Sequence, residues 1–174
     1  SNMNDYSANT LGVEKVMKLA KNLQSLKKIL ITSSMLVCEL GYQPKDEFDF
    51  NPSTIYGESK VMTEKIVREN LPSCDWSIIR PTSIWGPWFR APYKSFFDMI
   101  IDKKYFHIGN MGCTKTYGYI ENSIYQIEQV LFTNTTQNKN KVFYLGDYEE
   151  TNIELWADKI GLELGFSIKK APYF

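Results

Sequence analysis

Apolar and polar residues alternate along this chain with two periods, one typical of amphipathic helices and one of buried strands. In the first half, two segments carry apolar residues at helical spacing, and a nearly continuous apolar run lies between them. The predicted elements are a helix over residues 6–23, a strand over Lys28–Val37, a loop over 39–53, and a helix that Ser53 or Thr54 caps and that ends near Asn70. This succession is typical of an α/β protein.

The second half continues the alternation. A short apolar segment ends at a proline, a stretch with Gly and Pro follows, and further segments return to helical spacing. The predicted elements are a strand over Trp76–Pro81, an irregular loop over 82–92, helices over 95–101 and 120–132, a strand over Lys141–Leu145, and a helix that Thr151 opens with Glu154 as its capping box and that ends near Gly165. Strands that alternate with helices predict a parallel sheet with right-handed crossovers.

Length and composition restrict the class of protein. The 174 residues, 43% apolar and 23% charged, suit one globular domain or one with a small appendage. Lys plus Arg and Asp plus Glu number 20 each, so we expect neither nucleic acid nor a membrane as partner. Three cysteines without metal-like spacing predict a reduced, cytoplasmic protein. A single histidine, His107, leaves little for a metal site or a catalytic triad, and no metal is predicted.

The pattern with the clearest chemistry is Tyr56-Gly-Glu-Ser-Lys60, in the second predicted helix. Tyr56 and Lys60 are one turn apart and project from the same helix face. An ammonium beside a phenol stabilises the phenolate, and such a phenol can take a proton from a sugar hydroxyl while hydride leaves the same carbon. Ser34, near the carboxyl end of a predicted parallel strand, lies where such folds bind ligands.

A Tyr-x-x-x-Lys pair also has an ordinary explanation, because most such pairs are surface contacts on helices. The strand-end Thr32-Ser-Ser34 segment and the later strand that ends in Arg80-Pro81 favour the catalytic interpretation. With these residues in view, the chain resembles the extended short-chain dehydrogenase/reductases, in the nucleotide-sugar epimerase/dehydratase group typified by UDP-glucose 4-epimerase. The segments that carry the resemblance are Asn9-Thr-Leu-Gly12, Thr32-Ser-Ser34, Tyr56-Gly-Glu-Ser-Lys60, Ile79-Arg-Pro-Thr-Ser-Ile-Trp-Gly-Pro87, Tyr117-Gly-Tyr-Ile-Glu-Asn122 and Tyr144-Leu-Gly146.

The resemblance implies a role for each matching residue. Tyr56 is implied as the acid/base, Lys60 as the residue that holds the nicotinamide ribose and tunes Tyr56, and Ser34 as the hydrogen-bond partner of the reacting hydroxyl. The implied cofactor-binding residues are Asn9, Tyr56, Lys60, Pro81, Thr82 and Ser83, and the implied substrate-binding residues are Ser34, Ser83 and Lys115. Apart from the resemblance, Asn9 could be a helix cap, and Ser83 and Lys115 could belong to an ordinary solvated loop.

The residues after Ser34 narrow the implied reaction. Dehydratases of the group carry Asp-Glu there, whereas this chain has Met35-Leu36, whose side chains cannot exchange a proton. The resemblance therefore implies an NAD-dependent nucleotide-sugar 4-epimerase that acts by transient oxidation of C4. Two alternatives stay open: a nucleotide-sugar 4-keto reductase that uses NADPH, and a non-catalytic truncated relative that acts in binding or assembly.

The glycine-rich dinucleotide loop of the family is not found in this sequence, because none of its 10 glycines forms a G-x-G-x-x-G pattern. We therefore expect an α/β protein with the C-terminal part of a Rossmann-like, doubly wound parallel sheet, in which residues 3–85 form a partial dinucleotide-binding domain. Residues 86–174 are expected to form a mixed region, with part of a small substrate-binding lobe and a returning helix and strand. This fragment is expected to bind NAD, or alternatively NADP, weakly and to be inactive alone, and an uncovered strand edge predicts a homo-oligomer.

Overall fold

A computed structural model describes residues 2–108, 112–133 and 139–171 of the chain. Its helices are α1 (Leu11–Asn22), α2 (Ile55–Glu69), α3 (Tyr93–Ile101), α4 (Ile120–Phe132) and α5 (Ile153–Glu163), with short 3₁₀ segments at Met3–Asn9 and Met35–Val37. Its strands are β1 (Lys28–Thr32), β2 (Asp75–Pro81), β3 (Ser83–Trp85), β4 (Phe106–Ile108), β5 (Thr114–Tyr119), β6 (Lys141–Leu145), β7 (Glu150–Asn152) and β8 (Lys169–Ala171). Two compact units result, Ser1–Thr82 with Ile124–Leu145, and Ser83–Ser123 with Gly146–Phe174.

The first unit is built on a three-stranded parallel sheet with the strand order β1-β2-β6. The helices α1 and α2 supply Met17 and Val67 to a core that includes Ile31, Trp76 and Ile78 of the strands. Burying an apolar side chain of this size contributes about 1.5–3 kcal/mol relative to leaving it exposed. The predicted α/β class with a parallel sheet is therefore confirmed. Among the described residues β1 forms one edge of this sheet, and the homo-oligomer expected from such an edge stays a prediction.

The parallel arrangement brings the carboxyl ends of the three strands to one side of the sheet. β1 ends at Thr32, which is paired with Ile79, and β2 ends at Pro81, which is paired with Leu145. The hydrogen bonding to β6 continues one residue beyond β2, because the Thr82 N–H donates to the Leu145 carbonyl at 2.9 Å. In open α/β sheets ligands bind outside these carboxyl ends.

The second unit has shorter strands and an interior of aromatic rings. β3 pairs with β5 in parallel, β5 pairs with β7 in antiparallel, and β4 and β8 form a separate parallel pair. The ring centroid of Trp156 lies 4.9 Å from that of Trp85, 5.3 Å from that of Phe96 and 5.5 Å from that of Phe97. Ring pairs of this kind stabilise a core by about 0.5–1.5 kcal/mol beyond the burial of their area.

The first strand is shorter than the predicted strand over residues 28–37. The strand ends at Thr32, and after Ser34 the chain turns into the 3₁₀ segment. The Oγ of Ser34 accepts a hydrogen bond from the Leu36 N–H at 3.1 Å, so the serine acts as an N-cap and redirects the backbone. The apolar residues beyond it still serve the core, since Val37 is buried.

Three other local predictions are wrong. The first helix begins at Leu11 and not at residue 6, because Met3–Asn9 form a separate 3₁₀ segment and the backbone of Thr10 is not helical. Residues 83–85 form strand β3 instead of loop, because they pair with Tyr117–Tyr119 of β5. Helix α5 begins one residue later than the proposed capping box, since Thr151 belongs to β7 and Asn152 is the cap. The Oδ1 of Asn152 accepts the Leu155 N–H at 3.0 Å.

Candidate active site

Helix α2 presents both residues of the Tyr-x-x-x-Lys pattern. Thr54 caps it, with its Oγ1 accepting the Gly57 N–H at 3.0 Å, so the second of the two predicted caps is confirmed. The Nζ of Lys60 lies 5.8 Å from the ring centroid of Tyr56. Lys60 also donates to the Thr32 carbonyl at 3.0 Å. The predicted pair therefore stands at the carboxyl end of β1.

The environment of Lys60 suits a catalytic cation. Burial lowers the pKa of this ammonium from its ordinary value of 10.5. A poorly hydrated ammonium attracts a nearby oxyanion more strongly than a surface lysine does. One of its three N–H donors is engaged by the Thr32 carbonyl, so others can reach a phenolate or a ribose hydroxyl.

Ser34 follows directly after the end of β1 and is 8% exposed. In its contact with the Leu36 N–H the serine oxygen is the acceptor, so its hydroxyl hydrogen can still be donated to a substrate oxygen. The preceding Ser33 has a different role, because its Oγ donates to the carboxylate of Glu64 at 2.6 Å. The Ser34 hydroxyl can therefore donate to a ligand, whereas the Ser33 hydroxyl is used in a contact within the protein.

Asn9 is held to helix α2 by hydrogen bonds. Its Nδ2 donates to the Ser59 Oγ at 2.9 Å, and Ser59 in turn donates to the Tyr56 carbonyl at 2.7 Å. Thr63 donates to the Asn9 carbonyl at 2.5 Å. The alternative that Asn9 caps a helix is wrong, since Thr10 occupies the N-cap position of α1. Asn9 instead stabilises the first turns of α2 through its hydrogen bonds with Ser59 and Thr63.

The remaining predicted residues lie in both units. Pro81 and Thr82 are at the carboxyl end of β2 in the first unit, with Ser34, Tyr56 and Lys60. Ser83 and Lys115 belong to the second unit and are half-buried residues of β3 and β5, so neither lies in a solvated loop. The Lys115 side chain helps to line a cavity of about 150 Å³ together with Pro92, Tyr93, Phe96, Tyr117, Ile153 and Trp156.

A fully buried ion pair that the sequence analysis did not predict joins helix α2 to strand β2. The Arg80 Nε and Glu64 Oε1 are 2.8 Å apart, and the Arg80 Nη2 and Glu64 Oε2 are also 2.8 Å apart. Neither side chain has exposed surface. The same guanidinium donates to the Tyr144 hydroxyl and to the Glu47 carbonyl, each at 2.7 Å. Arg68 donates to Glu64 at 3.0 Å.

Both members of this pair are charged. Burial alone would raise the pKa of Glu64, but hydrogen bonds from Arg80, Ser33 and Arg68 outweigh it, and the net shift is downward. Burial alone would likewise lower the pKa of Arg80, but Glu64 and Tyr144 raise it overall. The sequence offers a signal for this pair, because a charged residue within the apolar strand at Ser77–Pro81 requires a buried partner.

Gly57, inside the Tyr-x-x-x-Lys motif, allows the close approach of α2 to the 3₁₀ segment that follows β1. A Cβ on this residue would lie 2.2 Å from the Leu36 carbonyl oxygen and 3.1 Å from the Pro52 Cβ. Any larger residue would therefore push the start of α2 away from the 3₁₀ segment. The sequence signal is a glycine within a predicted helix, where glycine is otherwise unfavourable.

Comparison with known proteins identifies the family. A family model described as Male sterility protein, a family of NAD-binding domains, matches residues 4–137. The chain therefore belongs to this NAD-binding family, within the extended short-chain dehydrogenase/reductases of the epimerase/dehydratase type. No helix in the three described stretches is long and apolar enough to cross a bilayer.

The similar proteins include several sugar 4-epimerases and a dTDP-glucose 4,6-dehydratase. The chain is 30% identical over 124 residues to the N-acetyl-alpha-D-glucosaminyl-diphospho-ditrans,octacis-undecaprenol 4-epimerase of Escherichia coli O157:H7, a match that covers 68% of this chain and 37% of that protein. UDP-glucuronic acid 4-epimerase of Bacillus cereus, solved with NAD, has a TM-score of 0.77 at 20% identity over 94% of this chain and 54% of that chain. UDP-N-acetylglucosamine 4-epimerase of Methanobrevibacter ruminantium M1 has a TM-score of 0.73 at 18% identity over 97% and 57%. The structural likeness establishes the Rossmann-like fold, and this chain spans about half of those structures.

Proposed function

We propose that this protein is an NAD-dependent sugar 4-epimerase in which Tyr56 is the acid/base. The observation that carries the proposal is the placement of the Lys60 ammonium, 3.0 Å from the Thr32 carbonyl and 5.8 Å from the Tyr56 ring centroid. A cation and a phenol stand together at the strand end that also carries Ser34. Oxidation of a sugar hydroxyl requires such a group, because a proton must leave the oxygen as hydride leaves the carbon.

Ser34, Tyr56 and Lys60 each have a separate role in the proton transfer. Ser34 donates a hydrogen bond to the C4 oxygen of the sugar and orients it toward Tyr56. Tyr56, as phenolate, accepts the C4 hydroxyl proton, and the Lys60 ammonium stabilises the phenolate charge. NAD, held in part by Lys60, would serve as the acceptor and then as the donor of the hydride at C4. Tyr56 then gives its proton back to the C4 oxygen.

The residues present suit the nicotinamide end of NAD. Lys60 retains N–H donors for ribose hydroxyls, and Asn9 fixes the first turns of α2 through Ser59. Pro81 to Ser83, at and after the end of β2, are the proposed contacts of the nicotinamide amide. We assign the cofactor contacts to residues 3–85, which also hold the proposed substrate contacts Ser34 and Ser83, and we assign the substrate contact of Lys115 to residues 86–174.

A sugar joined to a diphosphate is the proposed substrate. The names of the similar proteins support it, because UDP-sugars and a diphospho-undecaprenol sugar share this group. Lys115 can pair with a phosphate oxygen, and the Ser83 hydroxyl can donate to one. Met35, next to Ser34, has no proton to exchange, which disfavours elimination of water as the reaction.

The experiment is a turnover assay of the complete gene product with NAD and UDP-glucose, UDP-glucuronic acid and UDP-N-acetylglucosamine, with the 4-epimer detected by proton NMR. Tyr56→Phe is expected to lower kcat by about 10²–10⁴-fold. Tyr42→Phe is the matched control, because the Tyr42 hydroxyl bonds to Asp49 in the 39–53 loop, and its kcat should stay unchanged. Full activity of Tyr56→Phe would disprove its role as acid/base. Oxidation of NADPH by a 4-keto sugar without epimerisation would favour the reductase instead.

A further inference from the structure

We propose that the buried Arg80–Glu64 pair, acting through Ser33, is the positioning device that sets Ser34 against the face of α2 that carries Tyr56 and Lys60. The effect on catalysis rests on the proposed function. The placement of Ser34 that it describes is a property of the folded chain and can be measured separately.

Glu64 extends the catalytic face of α2 by one turn. Tyr56, Lys60 and Glu64 follow one another at intervals of four residues, so their side chains lie along the same side of the helix. Lys60 bonds to the Thr32 carbonyl and Glu64 to the Ser33 hydroxyl. Two successive residues of the strand end are thus fixed to two successive turns of the helix, and the next residue is Ser34.

The carboxylate of Glu64 cannot move freely, because two of its partners, Arg80 and Ser33, are themselves held in place. Arg80 holds both of its oxygens in a bidentate pair, which fixes orientation as well as distance. Ser33 is also fixed through its backbone, since its N–H donates to the Ile79 carbonyl at 2.7 Å. β1, β2 and α2 therefore determine the position of the Ser33 side chain jointly.

The far side of the same ion pair provides a matched control. The Tyr144 hydroxyl accepts from the Arg80 Nη1 at 2.7 Å, whereas the Ser33 hydroxyl donates to the Glu64 Oε1 at 2.6 Å. Ser33→Ala and Tyr144→Phe each delete one hydroxyl bonded to the pair. Only Ser33 is adjacent to Ser34. A purely structural role predicts similar behaviour of the two variants, and a positioning role predicts different behaviour.

The test measures both variants in the complete gene product by two independent readouts. The first is the rate of hydrogen exchange at the Leu36 N–H, which reports on the Ser34 hydroxyl because the two are bonded. We expect exchange at least about tenfold faster in Ser33→Ala and nearly unchanged in Tyr144→Phe. The second is turnover, where Ser33→Ala should lower kcat at least about tenfold with KM unchanged, and Tyr144→Phe should not.

The outcomes separate the two proposals. If the wild type has no epimerase activity, the proposed function fails, and the Leu36 exchange rates still decide whether Ser33 positions Ser34. If both variants lose similar thermal stability while Leu36 exchange and kcat stay at wild-type values, the ion pair is structural only and the positioning inference is overturned. Altered exchange together with a selective loss of kcat in Ser33→Ala supports it.

Discussion

At the scale of single residues, Gly57 shows how closely the proposed site is packed. Its neighbour Tyr56 carries the proposed chemistry, yet the absence of a side chain on Gly57 is what allows the helix to lie against the Leu36 carbonyl. The Tyr-x-x-x-Lys motif therefore combines a proposed reactive group with a close approach of the backbone. Sequence patterns reveal the reactive group readily and the close approach only through the unexpected glycine.

Gly57→Ala is expected to lower the free energy of unfolding by about 1–3 kcal/mol, because the added methyl group forces α2 away from a backbone oxygen. Gly12→Ala is the matched control, since the atoms nearest to its Cβ would be 3.8 and 3.9 Å away. This control should be neutral or stabilising by up to about 1 kcal/mol, because alanine favours helix. Urea unfolding of both variants measures the difference, and equal free energies would contradict the close approach.

Glu64→Gln should lower the free energy of unfolding at neutral pH by about 3–5 kcal/mol, since it leaves the buried Arg80 charge without its partner. It should also change the response to acid. The pKa of Glu64 in the folded state lies below its ordinary value of 4.5, so its contribution is present above that value and is lost as pH falls through the folded-state pKa.

Unfolding free energies between about pH 7 and pH 3 test the second effect, and the decline on acidification should be shallower in Glu64→Gln than in the wild type. Glu14→Gln is the control at neutral pH, because Glu14 pairs with Lys18 on an exposed helix surface and should leave stability nearly unchanged. Parallel acid profiles for wild type and Glu64→Gln would show that the pair is not coupled to protonation.

At the scale of elements, long periodic segments were predictable and short strands were not. The predictions for α2, β2, α4 and β6 agree with the structure to within one or two residues, because each element carries a regular apolar pattern in the sequence. β4 and β8 have three residues each, mostly exposed or half-buried, and they form by pairing with each other across a long stretch of sequence. Local alternation contains no sign of such a pairing.

The N-cap of α5 could not be identified from the sequence alone, because two adjacent residues suit that position. Thr151 and Asn152 are both good N-cap residues, but Thr151 is held in β7 opposite Lys115. Asn152→Ala should therefore destabilise the protein by about 1 kcal/mol, while Thr151→Ala should cost less than half of that. Thermal unfolding of the two variants decides the matter. A larger loss in Thr151→Ala would restore the predicted capping box.

At the scale of the whole molecule, the sequence and the structure contribute different parts of the site. The placement of Ser34, Tyr56 and Lys60 near the carboxyl end of β1 could be predicted from the sequence, because Ser34 follows a strand and the other two residues share one face of a helix. The sequence indicates that Arg80 needs a buried partner, but it does not identify Glu64 or Ser33, since the three residues come from separate segments. Only the folded sheet brings these side chains together, and no period in the sequence marks a contact of that kind.

The 174 residues as a polypeptide are expected to bind only the nicotinamide end of the cofactor. In this fold class the pyrophosphate is held by a glycine-rich loop at a helix N-terminus, and the sequence holds no such pattern. Reduced nicotinamide mononucleotide and NADH should therefore bind with Kd values that agree within about threefold, because the adenosine half adds no contacts.

Titration of the polypeptide with each ligand, followed by nicotinamide fluorescence, compares the two Kd values directly. Lys60→Met should weaken both ligands equally, because both carry the nicotinamide ribose that Lys60 is proposed to hold. NADH that binds at least about tenfold tighter than the mononucleotide would contradict the prediction, since about 1.4 kcal/mol of binding would then come from the adenosine half. That result would place a second nucleotide-binding surface within these residues, and a site for the adenosine half would have to be sought on them.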